Sequence, residues 1–452
     1  MPTFCSLPVD RRQFFHAAAG SAAALVGAHL LGNAAPTGQR LKVAAVFTEF
    51  GYRKHAHVLL ENFLEPYYFN GKAIDSGCDV VSFYRDQTPA DDMTPEVAKA
   101  YKIGVYPTIA EALCLGGKSL AVDAVLSIGE HGNYPRNKKG QVEYPRKRFF
   151  DEIVQVFRKS GRVLPIFNDK HLSYRWDWAK EMADTAREMK IPFMAGSSVP
   201  LAQRVPALEI PAGAKIEEAI SIHGGGLDSY DFHALEVLQS MVENRSGGET
   251  GVASVQYLGT DALTRAAKDG LWSPQLLQAI WDSQPNRSGP RSTLEQLFKT
   301  SPWGLLVRYR DGLRGLALKQ VSGATNWGFA CRLAGRKEPL ATTLYVGPWQ
   351  NRCLFKALAH AIQTHFRQGR PPYPLERTLL TTGMVAAGVE SHFLKDVPYE
   401  TPHLNLAYAA RDFRSMREMG DTWKIITESL PDPHGIDHLG KLASTSVAAH
   451  TK

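Results

Sequence analysis

Cysteine is scarce in this chain. Of 452 residues five are cysteine, Cys5, Cys78, Cys114, Cys331 and Cys353, and no two stand at CxxC spacing. Zinc knuckles and thioredoxin-like redox sites need that spacing, so neither is expected, and the thiols read as free and mostly buried. Long apolar runs are missing too. The stretch Ala17 to Leu31 is too short and too rich in Gly and Ala for a bilayer span, and no other segment is apolar enough. Charge is spread rather than blocked. The net charge is +7, yet the one dense basic stretch, Arg136 to Arg148 (RNKKGQVEYPRKR), carries no interleaved aromatic platform, so it reads as a solvated loop and no nucleic-acid partner is expected. What remains, 44% hydrophobic and 21% charged residues, is globular composition at a length that suits two or three domains.

The N-terminus reads as an address. Arg11-Arg12 precede Phe14-Phe15, a weakly apolar Ala/Gly-rich run follows, and small residues close it at Ala34-Ala35. This is the layout of a twin-arginine signal peptide over residues 1–35, which predicts a periplasmic or secreted protein exported already folded.

From Leu41 onward strand and helix patterns alternate. LKVAAVF, CDVVSFYRDQ, VDAVLSIGEHG, RVLPIFND and IPFMAG read as strands, with helical periods between them. RFFDEIVQVFRKSG is amphipathic, with a basic last turn and a glycine stop. The rhythm predicts a Rossmann-like doubly wound parallel sheet over 40–205. After Pro206 strands follow one another with few crossovers, among them GAKIEEAISIHG, TGVASVQYLG and a hairpin turning at Asp311-Gly312. That half, 206–431, is expected to be an α+β domain on a largely antiparallel sheet, whose exposed face would suit a homodimer. The polar residues 432–452 read as a mobile tail.

Three patterns carry chemistry, and they occur in order: AKAYKIGVYPTIAEALCLGG running on through VDAVLSIGEHGNYP, then NDKHLS (Asn168 to Ser173), then HGGGLDSYDFHALEVLQ (His223 to Gln239). In that order they resemble the Gfo/Idh/MocA family of NAD(P)-dependent sugar and polyol oxidoreductases. Asp169-Lys170-His171 stands where that family has its Glu-Lys-Pro lysine, and Phe232 to Glu236 stands where its second-domain histidine helix begins. The resemblance implies NAD or NADP as cofactor and a carbohydrate or polyol as substrate. It implies Lys170 as the group that polarises the substrate oxygen and His233 as general acid/base, with Asp231 or Glu236 orienting the imidazole. Cofactor contacts would fall to Thr48, Gly51 and Arg53 in the first loop, to Arg85 and Asp86 at the end of the second strand, and to Glu130 and His131 at the sheet edge. Asp86 would favour a free ribose 2′-hydroxyl and Arg85 a 2′-phosphate, so the sequence does not choose between NAD and NADP.

Two departures stand out. The G-x-G-x-x-G loop, whose glycines let backbone amides approach a diphosphate, is replaced by FTEFGYRKHAH with Gly51 alone. Glu49 would oppose the diphosphate there, and Arg53 and Lys54 would compensate. The family's aspartate before the histidine is Ser229 here, with Asp228 as a replacement one position earlier. Two other function classes therefore stay open: a carbohydrate-binding or structural protein that kept the fold and lost the cofactor, and a metal-dependent lyase or hydrolase built on His131, His171, His223 and His233 with Glu130 and Asp228.

Overall fold

The computed structural model describes residues 39–284, 294–320 and 327–441. The twin-arginine segment and residues 442–452 lie outside the described residues. Among those described, six strands build the first sheet: β1 (Leu41–Phe47), β2 (Cys78–Arg85), β3 (Gly104–Tyr106), β4 (Ala124–Ile128), β5 (Ile166–Asp169) and β6 (Phe193–Gly196). All pair in parallel, in the spatial order 3-2-1-4-5-6. That is the dinucleotide-fold order, with its switch point between β1 and β4. The central strands are apolar on both sides because helices cover both faces. In β1 only Lys42 reaches solvent, and every residue of β4, β5 and β6 is buried. The helix Arg146–Ser160 turns Phe149, Phe150, Ile153, Val154 and Phe157 inward, and it ends at Gly161, whose φ of 65° supplies the left-handed cap.

The second sheet holds eight strands among the described residues: β7 (Gln203–Val205), β8 (Ile216–His223), β9 (Val252–Leu258), β10 (Trp303–Tyr309), β11 (Arg314–Lys319), β12 (Trp327–Leu333), β13 (Leu340–Tyr345) and β14 (Tyr399–Glu400). Its order is 14-9-10-11-8-12-13-7, and all neighbours are antiparallel except β8 and β11. The α/β class with a parallel sheet followed by a mixed, mostly antiparallel one is the class expected from the sequence. β7 belongs to this second sheet, so residues 203–205 leave the first sheet earlier than the pattern suggested.

Two further differences concern surfaces. The exposed sheet face expected to suit a dimer is covered among the described residues by the helices Thr260–Lys268 and Pro274–Ser283. Leu263, Leu276, Leu277, Ile280 and Trp281 pack there on Ile220, Ile222, Leu316 and Leu318. The chain from Asp432 to Lys441 is a packed strap rather than a loose tail. Asp437 is buried and pairs with Lys356, and Asp432 pairs with Arg352 and Arg53. The helices Asn351–Gln368 and Leu375–Phe393 return to the first sheet, so one buried cluster runs from Val43 and Phe47 through Phe167 to Phe232 and Leu305 and joins both halves.

Candidate functional site

The carboxyl ends of β4, β5 and β6 face the start of the helix Ser229–Val242 across a cavity of about 790 Å3. Ligands bind at such strand ends because the backbone opens there at the switch point. Each strand delivers side chains from its tip: Glu130 and His131 after β4, Lys170 after β5, Ser197 and Ser198 after β6. Lys170 and His131 both adopt positive φ, 61° and 71°, a left-handed backbone that costs a non-glycine residue energy and turns these two side chains out of strand direction.

Lys170 and His233 come from the two halves of the chain, and both line the cavity. Lys170 is 4% exposed, and its Nζ donates to Glu130 Oε1 at 2.9 Å. Glu130 also pairs with the fully buried Arg146, which reaches on to His171 Nε2 at 3.2 Å. Burial alone would push Glu130 up, but the Lys170 and Arg146 charges override it and hold the carboxyl well below the usual carboxylate range. A permanently ionised acid between two cations fixes Lys170 at the cavity wall.

His233 Nδ1 lies 2.6 Å from Ser197 Oγ, which also accepts from the Val199 amide. With the serine as donor to Nδ1 in this contact, the ring proton stands on Nε2. Burial first, then the charge of Lys170, hold His233 well below its ordinary value, so the ring is a neutral donor. Asp228, also on the cavity wall, accepts from Gln141 Nε2 at 3.0 Å, and burial raises its carboxyl above the ordinary value. Tyr144, Tyr230, Trp327 and Phe355 supply aromatic wall, with Tyr230 and Trp327 stacked at 5.7 Å. Among the described residues, His131 Nε2 and Ser198 Oγ are buried without a hydrogen-bond partner, and both residues line the cavity. Buried polar atoms are ordinarily satisfied, so these two are exceptions beside the cavity.

The other candidates divide. Arg53, Glu130 and His131 line the cavity with Lys170 and His233, whereas Thr48, Gly51, Arg85, Asp86 and Asp231 do not. Asp231 is fully buried and bonds His223 Nε2 at 3.1 Å and Trp303 Nε1 at 3.4 Å, so it faces away from the imidazole it was expected to orient. Ser197 orients the ring instead, and Glu236 stands behind it, accepting from the Ser197 amide at 3.4 Å and the Thr381 hydroxyl at 2.6 Å. Ser197 had one legible signal, its place just past a strand end. Among the described residues no three His, Cys, Asp or Glu side chains gather as metal ligands. His171 faces Arg146 and His223 faces Asp231, which separates the histidines of the metal reading.

A dinucleotide does not fit the remaining cofactor positions. The amides that a glycine-rich loop would offer to a diphosphate are engaged within the chain: Arg53 N–H donates to His57 Nδ1 at 2.8 Å and Lys54 N–H to Gly51 O at 3.1 Å. The Lys54 ammonium and the Tyr52 amide both act to hold the Asp91 carboxyl below its ordinary value. A side chain at Gly51 would meet Asp91 Oδ2 at 2.4 Å, so a carboxylate sits against this loop. The Lys54 ammonium is shared between Glu49 and Asp91. At the adenosine end, Asp86 already accepts from Tyr84, Tyr134 and Arg148, while Arg85 pairs with Asp92. The strap adds a lid: Tyr52 stacks on His434 at 5.1 Å, and Arg53 pairs with Asp432 at 3.1 Å.

No protein-family model matches the chain, and no curated protein matches its sequence. Solved structures share the fold. GenD2 from gentamicin A biosynthesis, solved in complex with NAD, superposes with a TM-score of 0.53 at 12% identity over 82% of this chain and 99% of its own. A probable dehydrogenase from Thermotoga maritima gives 0.51 at 10% identity over 80% of this chain and 100% of its own. Myo-inositol dehydrogenase from Lactobacillus casei, in complex with NAD(H) and myo-inositol, gives 0.51 at 13% identity over 82% of this chain and 98% of its own.

Proposed function

We propose that the chain is an enzyme acting on a sugar or polyol, on the fold of the Gfo/Idh/MocA-type oxidoreductases, and that its own residues move protons at a hydroxyl- or carbonyl-bearing carbon. One observation carries this reading: Lys170 and His233, from separate halves of the chain, line a single cavity together with Glu130 and Asp228. Lys170 would bind and polarise the substrate oxygen, its position held by Glu130. Neutral His233 would donate from Nε2 to the same oxygen as negative charge develops, the role an imidazole kept uncharged by its site can play. Asp228, whose carboxyl burial raises above its ordinary value, would take up and return the proton. Aromatic walls would pack the apolar face of a sugar ring. These parts suffice for a redox-neutral isomerase, epimerase or lyase acting beside a carbonyl.

A second reading has its own support. Solved neighbours of the same fold carry NAD, and one holds myo-inositol beside it. Under this reading the chain is a polyol oxidoreductase with a tightly held dinucleotide, and the first loop and the strap must open to admit it. Denaturing the purified protein and assaying the supernatant for nicotinamide separates the two. Released dinucleotide would replace the first reading with the second. A clean supernatant, together with isomerisation or elimination of a keto-sugar that disappears in Lys170→Ala and His233→Ala, would establish the first. Full turnover in both variants would remove the site. We also propose twin-arginine export, resting on Arg11-Arg12; replacing both by lysine should strand the protein in the cytoplasm, and undiminished export would count against it.

A further inference from the structure

Away from the main cavity, a second one of about 450 Å3 lies between β7, the end of the helix Ser229–Val242 and the segment around Arg414–Met416. Two guanidiniums form its wall. The Arg417 side chain is 2% exposed and that of Arg204 is 7% exposed. Both lean on one carboxylate: Arg417 Nη2 pairs with Glu209, and Arg204 Nη1 reaches the other Glu209 oxygen at 3.3 Å and Leu208 O at 2.8 Å.

The charges do not balance there. Glu243, on the same wall, is already matched by the buried Arg377, and Asp412 is matched by Arg414. Two buried cations are left sharing Glu209. Arg411, also on the wall, donates to the Pro371 carbonyl at 3.0 Å. Burial, and then the neighbouring Arg417 charge, pull Arg204 down to about 9, the signature of a guanidinium short of counter-charge. A second observation agrees: Nε of Arg204 and Nε of Arg417 are both buried with no hydrogen-bond partner among the described residues. An uncompensated buried charge costs several kcal/mol, and a planar guanidinium fork is matched by a bidentate oxyanion. Glu209 is the one member of the group that can yield its place, since its side chain is 48% exposed.

We propose that Arg204 and Arg417 form an oxyanion-binding site, taking phosphate or sulfate, free or as an ester, with Glu209 as the resident carboxylate that the ligand displaces. The site lies apart from the residues that line the larger cavity, so it stands or falls independently of the proposed reaction.

The experiment is a calorimetric titration of the purified full chain with inorganic phosphate, then sulfate, then a sugar phosphate, against sodium chloride at matched ionic strength. Saturable one-to-one binding of phosphate is expected, with Glu209→Gln binding about tenfold tighter because the competing carboxylate is gone, and Arg417→Gln losing it. A tighter response to the sugar phosphate would identify an ester as the ligand, and an equal one the free ion. A purely structural clamp predicts the reverse for Glu209→Gln, a less stable protein with no change in anion binding, and that result would overturn the site. No saturable binding in either the native chain or Glu209→Gln would overturn it as well. Binding confined to Glu209→Gln would make the glutamate a permanent counter-ion and equally end the proposal. Glu209 is half exposed, so this variant keeps the test decisive even if Arg417→Gln fails to fold.

Discussion

Lys170 and Glu130 meet at 2.9 Å across the tips of two neighbouring parallel strands, with both side chains almost wholly buried. The pair shows what each residue is for. Removing Lys170 leaves Glu130 still neutralised by Arg146, so Lys170→Ala should fold while losing at least about a hundredfold in kcat/KM on the sugar or polyol substrate. Removing the acid leaves two buried cations facing each other. Glu130→Gln should therefore cost about 3–5 kcal/mol of stability, read as a lowered urea midpoint. Equal stability of the two variants would contradict the assignment of Glu130 as the counter-ion.

Ser197 is a positioning residue for His233, acting through the 2.6 Å contact to Nδ1. Ser197→Ala should lower kcat about tenfold with KM little changed, the loss of one hydrogen bond's worth of orientation. Its pH profile should change as well. With Nδ1 freed, the imidazole can carry its proton on either nitrogen, and Ser197→Thr, which keeps the hydroxyl, should restore most of the rate. A loss of rate that threonine does not rescue would mean that the serine serves packing alone.

The Arg352 guanidinium, wholly buried, pairs with Glu61 and Asp432 and donates to the carbonyl oxygens of Pro433 and Gly435. One side chain thus ties the helix His55–Leu64 to the strap. Arg352→Met removes the charge but leaves Glu61 buried beside Lys356 and Asp437, and it should cost about 3–5 kcal/mol. Limited proteolysis should then cut within 432–441, where the native chain resists. An uncut strap in a destabilised variant would place its anchorage elsewhere.

The parallel sheet was legible because its strands are buried on both faces and so read as unbroken apolar runs, as in AVLSI and FMAG. That Lys170 and His233 would line one cavity was legible from the order of their motifs. Ser197 was legible only by its place past a strand end, because a hydroxyl there has no spacing of its own and becomes meaningful only when a helix 36 residues later brings an imidazole to it. Asp231 misled for the same reason: two residues from His233 on a helix, it points to a different face and finds His223. The strap reads as a tail because Asp432 and Asp437 look like solvated acids locally, while their partners Arg352 and Lys356 lie about 80 residues away. The helices Thr260–Lys268 and Pro274–Ser283 are only 9 and 10 residues long, and with them went the covered sheet face.

His365 carries a pH dependence that can be isolated. It is fully buried, and its Nε2 donates to Ile166 O at 3.2 Å, inside the fold. Burial pushes its value down to about 4, against about 6.5 in an unfolded chain. The sign follows from which state holds the proton more strongly. Between those two values the unfolded chain is protonated at this ring and the folded one is not, so protons favour unfolding. The stability tied to this residue is complete above about pH 6.5 and is lost as pH falls toward 4. On going from pH 7 to pH 5 the native chain should therefore lose roughly 2 kcal/mol through this ring. His365→Gln keeps a donor for Ile166 O and cannot titrate, so it should lose that much less over the same interval, whatever its stability at pH 7. Urea denaturation of both proteins at the two pH values measures the difference, and parallel losses would mean that His365 is not the neutral, buried group described.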